Sequence, residues 1–202
     1  MARPRLHAPE TLLGAAEDLV IEHGRANLTV RALAERAGAS NGSIYHAFGS
    51  VENVVATAWL HRAAQFLEVQ RTAVDAELAA GNAVGAVQAA ADAPARLHEI
   101  EPSAARLLTA LRRDDLLVDG VPEPVAADVR GLDRELAGIL RRLARALWDR
   151  ADPVAVDVVT TCVVRLPAAL LFPAIRVGGV PPRARRQLAA AVAAVLDCPL
   201  TP

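Results

Sequence analysis

Apolar positions recur at helical spacing along most of the chain. Leu12, Ala16, Leu19 and Val20 stand at i, i+4, i+7 and i+8, and Gly24 follows as a stop, which predicts a first helix over about residues 10 to 23. Thr29 can cap a second, short helix with apolar positions Val30, Leu33, Ala34 and Ala37, ended by Gly38. Ser40 is the next cap, opening a third helix over Asn41 to Phe48 in which Ile44 and Phe48 lie one turn apart. Gly49-Ser50 ends that helix and caps the next. Residues 51–80 contain neither Gly nor Pro, so a helix of up to roughly 45 Å fits there, with Val55, Trp59, Ala63 and Phe66 as its buried stripe.

Breakers at Gly81-Asn82, Glu101-Pro102, Asp119 to Pro124, Asp152-Pro153 and Gly178 to Pro182 separate the remaining helical patterns. These patterns cover 83–100, 103–117, 123–150, 154–176 and 183–196. No stretch alternates persistently at period two, so no sheet is expected. The fold class is all-α, with about nine helices. The internal boundary falls at the start of the long fourth helix, giving residues 1–50 and 51–202.

Composition changes this picture little. All 22 basic residues are arginine, and the net charge is -1. The first 55 residues carry five arginines against six acids, so no basic domain advertises nucleic-acid binding. Cys162 and Cys198 are far apart, as expected of free thiols in a reducing cytoplasm, and no zinc pattern appears. Residues 1–10 lack an apolar stretch that would serve as a signal peptide. The apolar run Val154 to Val180 is interrupted by Asp157, Arg165 and Arg176 and by Pro167 and Pro173, which suits a buried interface helix better than a membrane span. The expected location is cytoplasmic, with no membrane partner.

The second and third helices have the makings of a helix-turn-helix. That motif needs a small residue where the helices cross, a glycine in the turn and apolar anchors beneath. Ala34, Gly38 and the set Leu33, Ile44 and Phe48 supply them. On the other face of the third helix, Asn41, Ser43, Tyr45 and His46 carry hydrogen-bonding groups suited to base edges or phosphates. Gly42 would let that face approach a groove closely, and the amides near Ser40 form an anion site at a helix N-terminus.

The segment T-V-R-A-L-A-E-R-A-G-A-S-N-G-S-I-Y-H-A-F-G-S at 29–50 resembles the DNA-binding segment of TetR/AcrR-type transcriptional regulators. The resemblance covers about a quarter of the chain once the first helix is included. It implies a homodimer in which three N-terminal helices bind DNA, about six more form a ligand domain, and the last two pair across the dimer axis. By resemblance, base contacts fall to Arg31, Asn41, Ser43 and Tyr45, and phosphate contacts to Tyr45, Thr29 and Ser50. Two positions depart from the family: Ala47 stands where His or Tyr is common, and Val51 where Lys is. Each usual residue touches phosphate, so either the affinity is modest or Arg3 and Arg5 compensate. Arg3 and Arg5 precede the first helix closely enough to form a minor-groove arm, or are an ordinary solvated terminus.

The implied function is a ligand-responsive regulator, a repressor that binds a near-palindromic operator and is released by a small apolar effector. The alternative is a protein of the same fold that binds small molecules but has weak or lost DNA binding. Trp59, Phe66, Arg106, Trp148, Cys162, Arg165 and Phe172 are the candidate pocket residues, each of them equally a candidate for ordinary core or surface roles. Small residues at Ala168, Ala169, Ala189, Ala190, Ala193 and Ala194 permit close helix approach in a four-helix dimer interface. No nucleophile-base pair or metal-ligand spacing appears, so neither an enzyme nor a cofactor is expected.

Overall fold

The computed structural model describes residues 9–200, and no strand occurs among them. The chain forms two compact units, one from residues 1–63 and 107–131, the other from 64–106 and 132–202. The first unit is therefore larger than the expected residues 1–50 and is assembled from two stretches of chain. Arg3 and Arg5 lie outside the described residues.

The first unit contains α1 (Pro9–His23), α2 (Val30–Ala37), α3 (Asn41–Phe48) and the first half of α4 (Val51–Ala79). The second stretch adds the end of α6 (Pro102–Ala110), a 3-10 turn over Arg113–Leu116 and the start of α7 (Glu123–Trp148). Leu12, Ala16, Leu19, Leu33, Ile44 and Val54 make the core, joined by Leu107, Leu111 and Leu116 from the returning stretch. Leu33 and Ile44 are wholly buried, each contributing about 1.5–3 kcal/mol by leaving water. Glu17 of α1 is also buried. Arg62 of α4 binds its carboxylate in fork geometry, Nε and Nη2 donating to the two oxygens at 2.9 Å each.

The expected helix over 103–117 stops at Ala110. Arg112 is extended (φ -98°, ψ 152°), and the Asp115 carboxylate accepts its N–H at 2.8 Å. An aspartate side chain here competes with the helix for backbone donors, and the chain turns.

In the second unit, α5 (Ala83–Ile100) is nearly all alanine on its buried side, with Ala86, Ala90, Ala91 and Ala93 fully covered. Small side chains let it pack closely against α11 (Pro182–Asp197) and the segment around Cys162. Pro94 lies inside α5 and cannot donate to the Ala90 carbonyl. Gln70 of α4, 1% exposed, replaces that donor, its Nε2 bonding Ala90 O at 3.0 Å. Arg185 of α11 binds Asp92 and Glu99 of α5.

The pattern over 154–176 is not one helix. It divides into α8 (Pro153–Thr160), a π turn over Thr161–Arg165, α9 (Leu166–Leu170) and α10 (Phe172–Arg176). Pro167 and Pro173 each remove a helix donor, and the Leu166 N–H bonds Thr161 O, five residues back. Residues Pro153–Leu170 have mean hydropathy 1.6, long and apolar enough to cross a membrane by length and composition alone, yet only 28% of them are buried. Val154, Val164 and Val177 are exposed on this part of the chain.

Candidate nucleic-acid interface

Each helix of the turn begins and ends where its sequence dictates. Thr29 is extended, and its Oγ1 accepts the Ala32 N–H at 3.1 Å, fixing the start of α2. Gly38 takes the left-handed conformation (φ 64°, ψ 25°). The Ala39 N–H then reaches back to Ala34 O at 2.9 Å and the Gly38 N–H to Glu35 O at 3.3 Å, a Schellman closure that a side chain at 38 would strain. Two residues later Ser40 Oγ accepts the Ser43 N–H at 3.1 Å and opens α3.

Ile44 anchors α3 in the core and Phe48 is half-buried against it, so the opposite face is left to solvent. Asn41, Gly42, Tyr45 and His46 are exposed there; Ser43 is half-buried, its hydroxyl sharing a hydrogen bond with that of Ser40 at 2.8 Å. A Cβ on Gly42 would meet only Ser40 Oγ, at 3.7 Å. Packing within the chain therefore does not require glycine at 42.

The arginines nearby are mostly committed. Arg25 binds Glu52 at 3.0 Å, and Arg36 binds Glu22, with Asp18 at 3.8 Å. Glu22 raises the pKa of Arg36, chiefly through their hydrogen bond. Arg31, exposed on α2, has no hydrogen bond or ion pair among the described residues. Of the arginines between residues 9 and 50, it is the one with no acidic partner among the described residues.

Ser50 is differently placed from the other expected DNA contacts. Its Oγ donates to Gly120 O at 2.6 Å and accepts the Asn53 N–H at 3.0 Å, so its proton already serves the fold. Thr29 stays exposed and donates to none of the described residues. Val51 is 5% exposed and belongs to the core, while Ala47 faces solvent. Sequence reasoning missed Asn53, whose Nδ2 bonds Phe48 O at 2.8 Å and ties the end of α3 to α4. It also missed the Gly120 loop, for which no local signal existed.

Of the seven expected pocket residues, one lies in the first unit and six in the second. Trp59 packs against the core of the first unit, its indole Nε1 buried without a partner. In the second unit, Phe66, Arg106, Trp148 and Phe172 are half-buried. Cys162 is fully buried, and burial pushes its thiol up to about 11. Arg165 faces solvent, not a cavity. Asp157 and Thr161 hold it, each at 2.7 Å, and the Asp157 hydrogen bond raises its pKa. A groove of about 380 Å³ does open in the second unit, lined among others by Gln88, Asp92, Arg186, Leu188 and Val192, and none of the seven reaches it. Among the described residues no three His, Cys, Asp or Glu side chains are grouped to hold a metal.

Residues 12–58 match the family described as bacterial regulatory proteins, tetR family. No curated protein matches the chain. Solved structures share its fold along almost its whole length. A tetR-family regulatory protein from Rhodococcus RHA1 is 16% identical over 96% of both chains (TM-score 0.65). The TetR-family regulator PfmR from Thermus thermophilus is 19% identical over 92% of this chain and 96% of its own (TM-score 0.63). The regulator FadR from Bacillus subtilis, solved with stearoyl-CoA, is 13% identical over 93% of this chain and 95% of its own (TM-score 0.62). All three are described as regulators. With its capped α2 and α3 and the glycine turn between them, the segment 12–58 matches the tetR-family model, and the all-helical fold of the chain is similar to that of solved TetR-family regulators.

Proposed function

We propose that the chain is a ligand-responsive repressor that binds a near-palindromic operator as a homodimer and leaves it when a small hydrophobic effector binds. The observation that carries this reading is the outward face of the turn. Asn41, Tyr45 and His46 project from a helix whose other side is anchored by Ile44, with unpaired Arg31 on the preceding helix. Arg31, Asn41, Ser43 and Tyr45 then read bases, Thr29, Tyr45 and the amides at Ser40 hold phosphates, and Arg3 and Arg5 form a minor-groove arm. Residues 1–50 carry DNA binding and 51–202 ligand binding and dimerisation. The smallness of Gly42, which packing does not demand, suits close approach to a groove.

Dimerisation is assigned to α8–α10 and α11. The support is an apolar stretch with little burial, bearing exposed Val154 and Val164, beside exposed alanines at 189, 190, 193 and 194 on α11. The effector class is drawn from the apolar composition of residues 51–202 and from a neighbour of the same fold solved with stearoyl-CoA. The protein acts in the cytoplasm.

A second reading has an observation of its own. Arg25 and Arg36 are tied to acids and Val51 is in the core, which favours a small-molecule-binding protein with weak DNA affinity. Binding to DNA flanking its own gene separates the two. Sequence-specific binding, weakened by substituting Arg31, Asn41 or Tyr45, supports the repressor. Absent or sequence-independent binding supports the alternative. Light scattering that gave a single 21.2 kDa particle at micromolar concentration would remove the dimer. Thermal shifts with a panel of lipophilic compounds test the effector.

A further inference from the structure

The groove of the second unit runs beside α5, and its charges are sorted along that helix. At the N-terminal end stand Glu77, from the last turns of α4, and Asn82, the cap of α5. Asn82 Nδ2 donates to Glu77 Oε2 at 2.8 Å, which holds the carboxylate at this end and leaves Oε1 without a hydrogen bond among the described residues. Glycine at 85 makes room for the pair, since a Cβ there would collide with Asn82 Nδ2 and stand 2.6 Å from Glu77 Oε2.

Two turns along α5 the sign reverses. Arg185 of α11 binds both oxygens of Asp92 and also reaches Glu99, so these charges are matched. Two further guanidiniums on the groove keep donors to spare. Arg96 gives only its Nε to Asp92, at 3.3 Å, and Arg186, next to Arg185 in α11, has no hydrogen bond or ion pair among the described residues. Ala89 lies between the two ends on α5, and buried Leu188 and Val192 of α11 complete an apolar floor. From Gly85 to Asp92 the helix rises roughly 10 Å, about the span of three extended residues.

We propose that this groove binds a short zwitterion with its charges roughly 10 Å apart, the carboxylate on Arg96 and Arg186 and the ammonium on Glu77. Guanidinium forks match a carboxylate, and the free Glu77 oxygen accepts from an amine. A wholly apolar ligand would bury these charges without partners, and a multivalent anion would meet the carboxylate of Glu77. The ligand thus differs in class from the hydrophobic effector proposed above. The site keeps to the α5 side of α11, sharing only Ala189 with the exposed alanines assigned to dimerisation. Nothing in it depends on operator binding.

Isothermal titration of the full-length protein at neutral pH tests the site with two zwitterions of similar span, trialanine and ω-aminooctanoate. N-acetyl-trialanine removes the ammonium, trialanine amide removes the carboxylate, and alanine brings the two charges together. We expect a zwitterion to bind, with each control at least about tenfold weaker, the worth of one charge-assisted hydrogen bond. Trialanine alone identifies a short peptide, ω-aminooctanoate alone an ω-amino acid, and both together a site that reads charge separation only. Arg186→Gln weakens the zwitterion about tenfold. Glu77→Gln, which keeps an acceptor for Asn82, does the same but leaves N-acetyl-trialanine unaffected, a split that general damage to the groove would not give. Urea midpoints check that both variants fold, and Arg96→Gln serves if Arg186→Gln does not. No binding of either zwitterion at about 10 mM would overturn the proposal. So would controls that bind as well as the zwitterions, or affinity unchanged in the folded variants.

Discussion

The Glu17–Arg62 pair offers a sharp test of how the first unit is held together. Both residues lie within it, Glu17 on α1 and Arg62 on α4, and their exposures are unequal: 7% for the glutamate side chain and 27% for the arginine. Replacing Arg62 with Met leaves a carboxylate in the core without its fork of donors. Breaking a buried pair from one side typically costs about 3–5 kcal/mol, and the partial exposure of the site reduces this to roughly 2–3 kcal/mol. Replacing Glu17 with Met instead leaves a guanidinium that water already reaches, for about 1 kcal/mol. The double variant removes both charges and falls near the smaller value. Urea unfolding at one fixed protein concentration measures the ordering, the larger loss moving the midpoint by on the order of 1 M. If Glu17→Met costs as much as Arg62→Met, stranding the carboxylate is not what makes the pair matter, and the argument fails.

Gly38→Ala forces a Cβ into a left-handed turn and lowers stability by about 1–2 kcal/mol in the same assay. Gly42→Ala, in open surroundings within α3, raises stability by roughly 0.5–1 kcal/mol while weakening operator binding, read by fluorescence anisotropy. Arg31→Gln lowers operator affinity and, if Arg31 also touches phosphate, flattens the plot of log affinity against log salt by about one per subunit. At the start of α8, Arg150 and then the Ala155 N–H hold the Asp152 carboxyl below its ordinary value of 3.8. The stabilisation it gives is present above that value and is lost as pH falls below it, through the lowered folded-state value. Asp152→Asn therefore flattens the stability profile below about pH 4, measured by thermal unfolding against pH.

The N-terminal helices were legible because everything that defines them is local. Thr29, Gly38 and Ser40 act on backbone groups within five residues of themselves, and the structure bounds α2 and α3 where those residues predict. What escaped the sequence depends on distant or competing contacts. The end of α6 turns on whether Asp115 claims a backbone donor, which composition does not reveal. The break at 161–165 is a negotiation between two prolines and the surrounding helix. Pro94 sits unannounced inside α5 because its compensation comes from Gln70, twenty residues before the carbonyl it serves. On the candidate site, exposure of Asn41, Tyr45 and His46 followed from helical phase. That Ser50 is engaged with Gly120, or that Arg25 and Arg36 are neutralised, needed the third dimension.

The returning stretch 107–131 has a consequence for biosynthesis. Leu107, Leu111 and Leu116 complete the core beneath the helix-turn-helix, and Gly120 receives the Ser50 hydroxyl. A nascent chain that ends before residue 107 thus lacks part of the core beneath α2 and α3. Its contacts of high sequence separation close only once residue 131 has been made, a late step for a helical unit. Truncated products of interrupted translation would leave the turn underpacked, so they would unfold more readily than chains that carry the returning stretch.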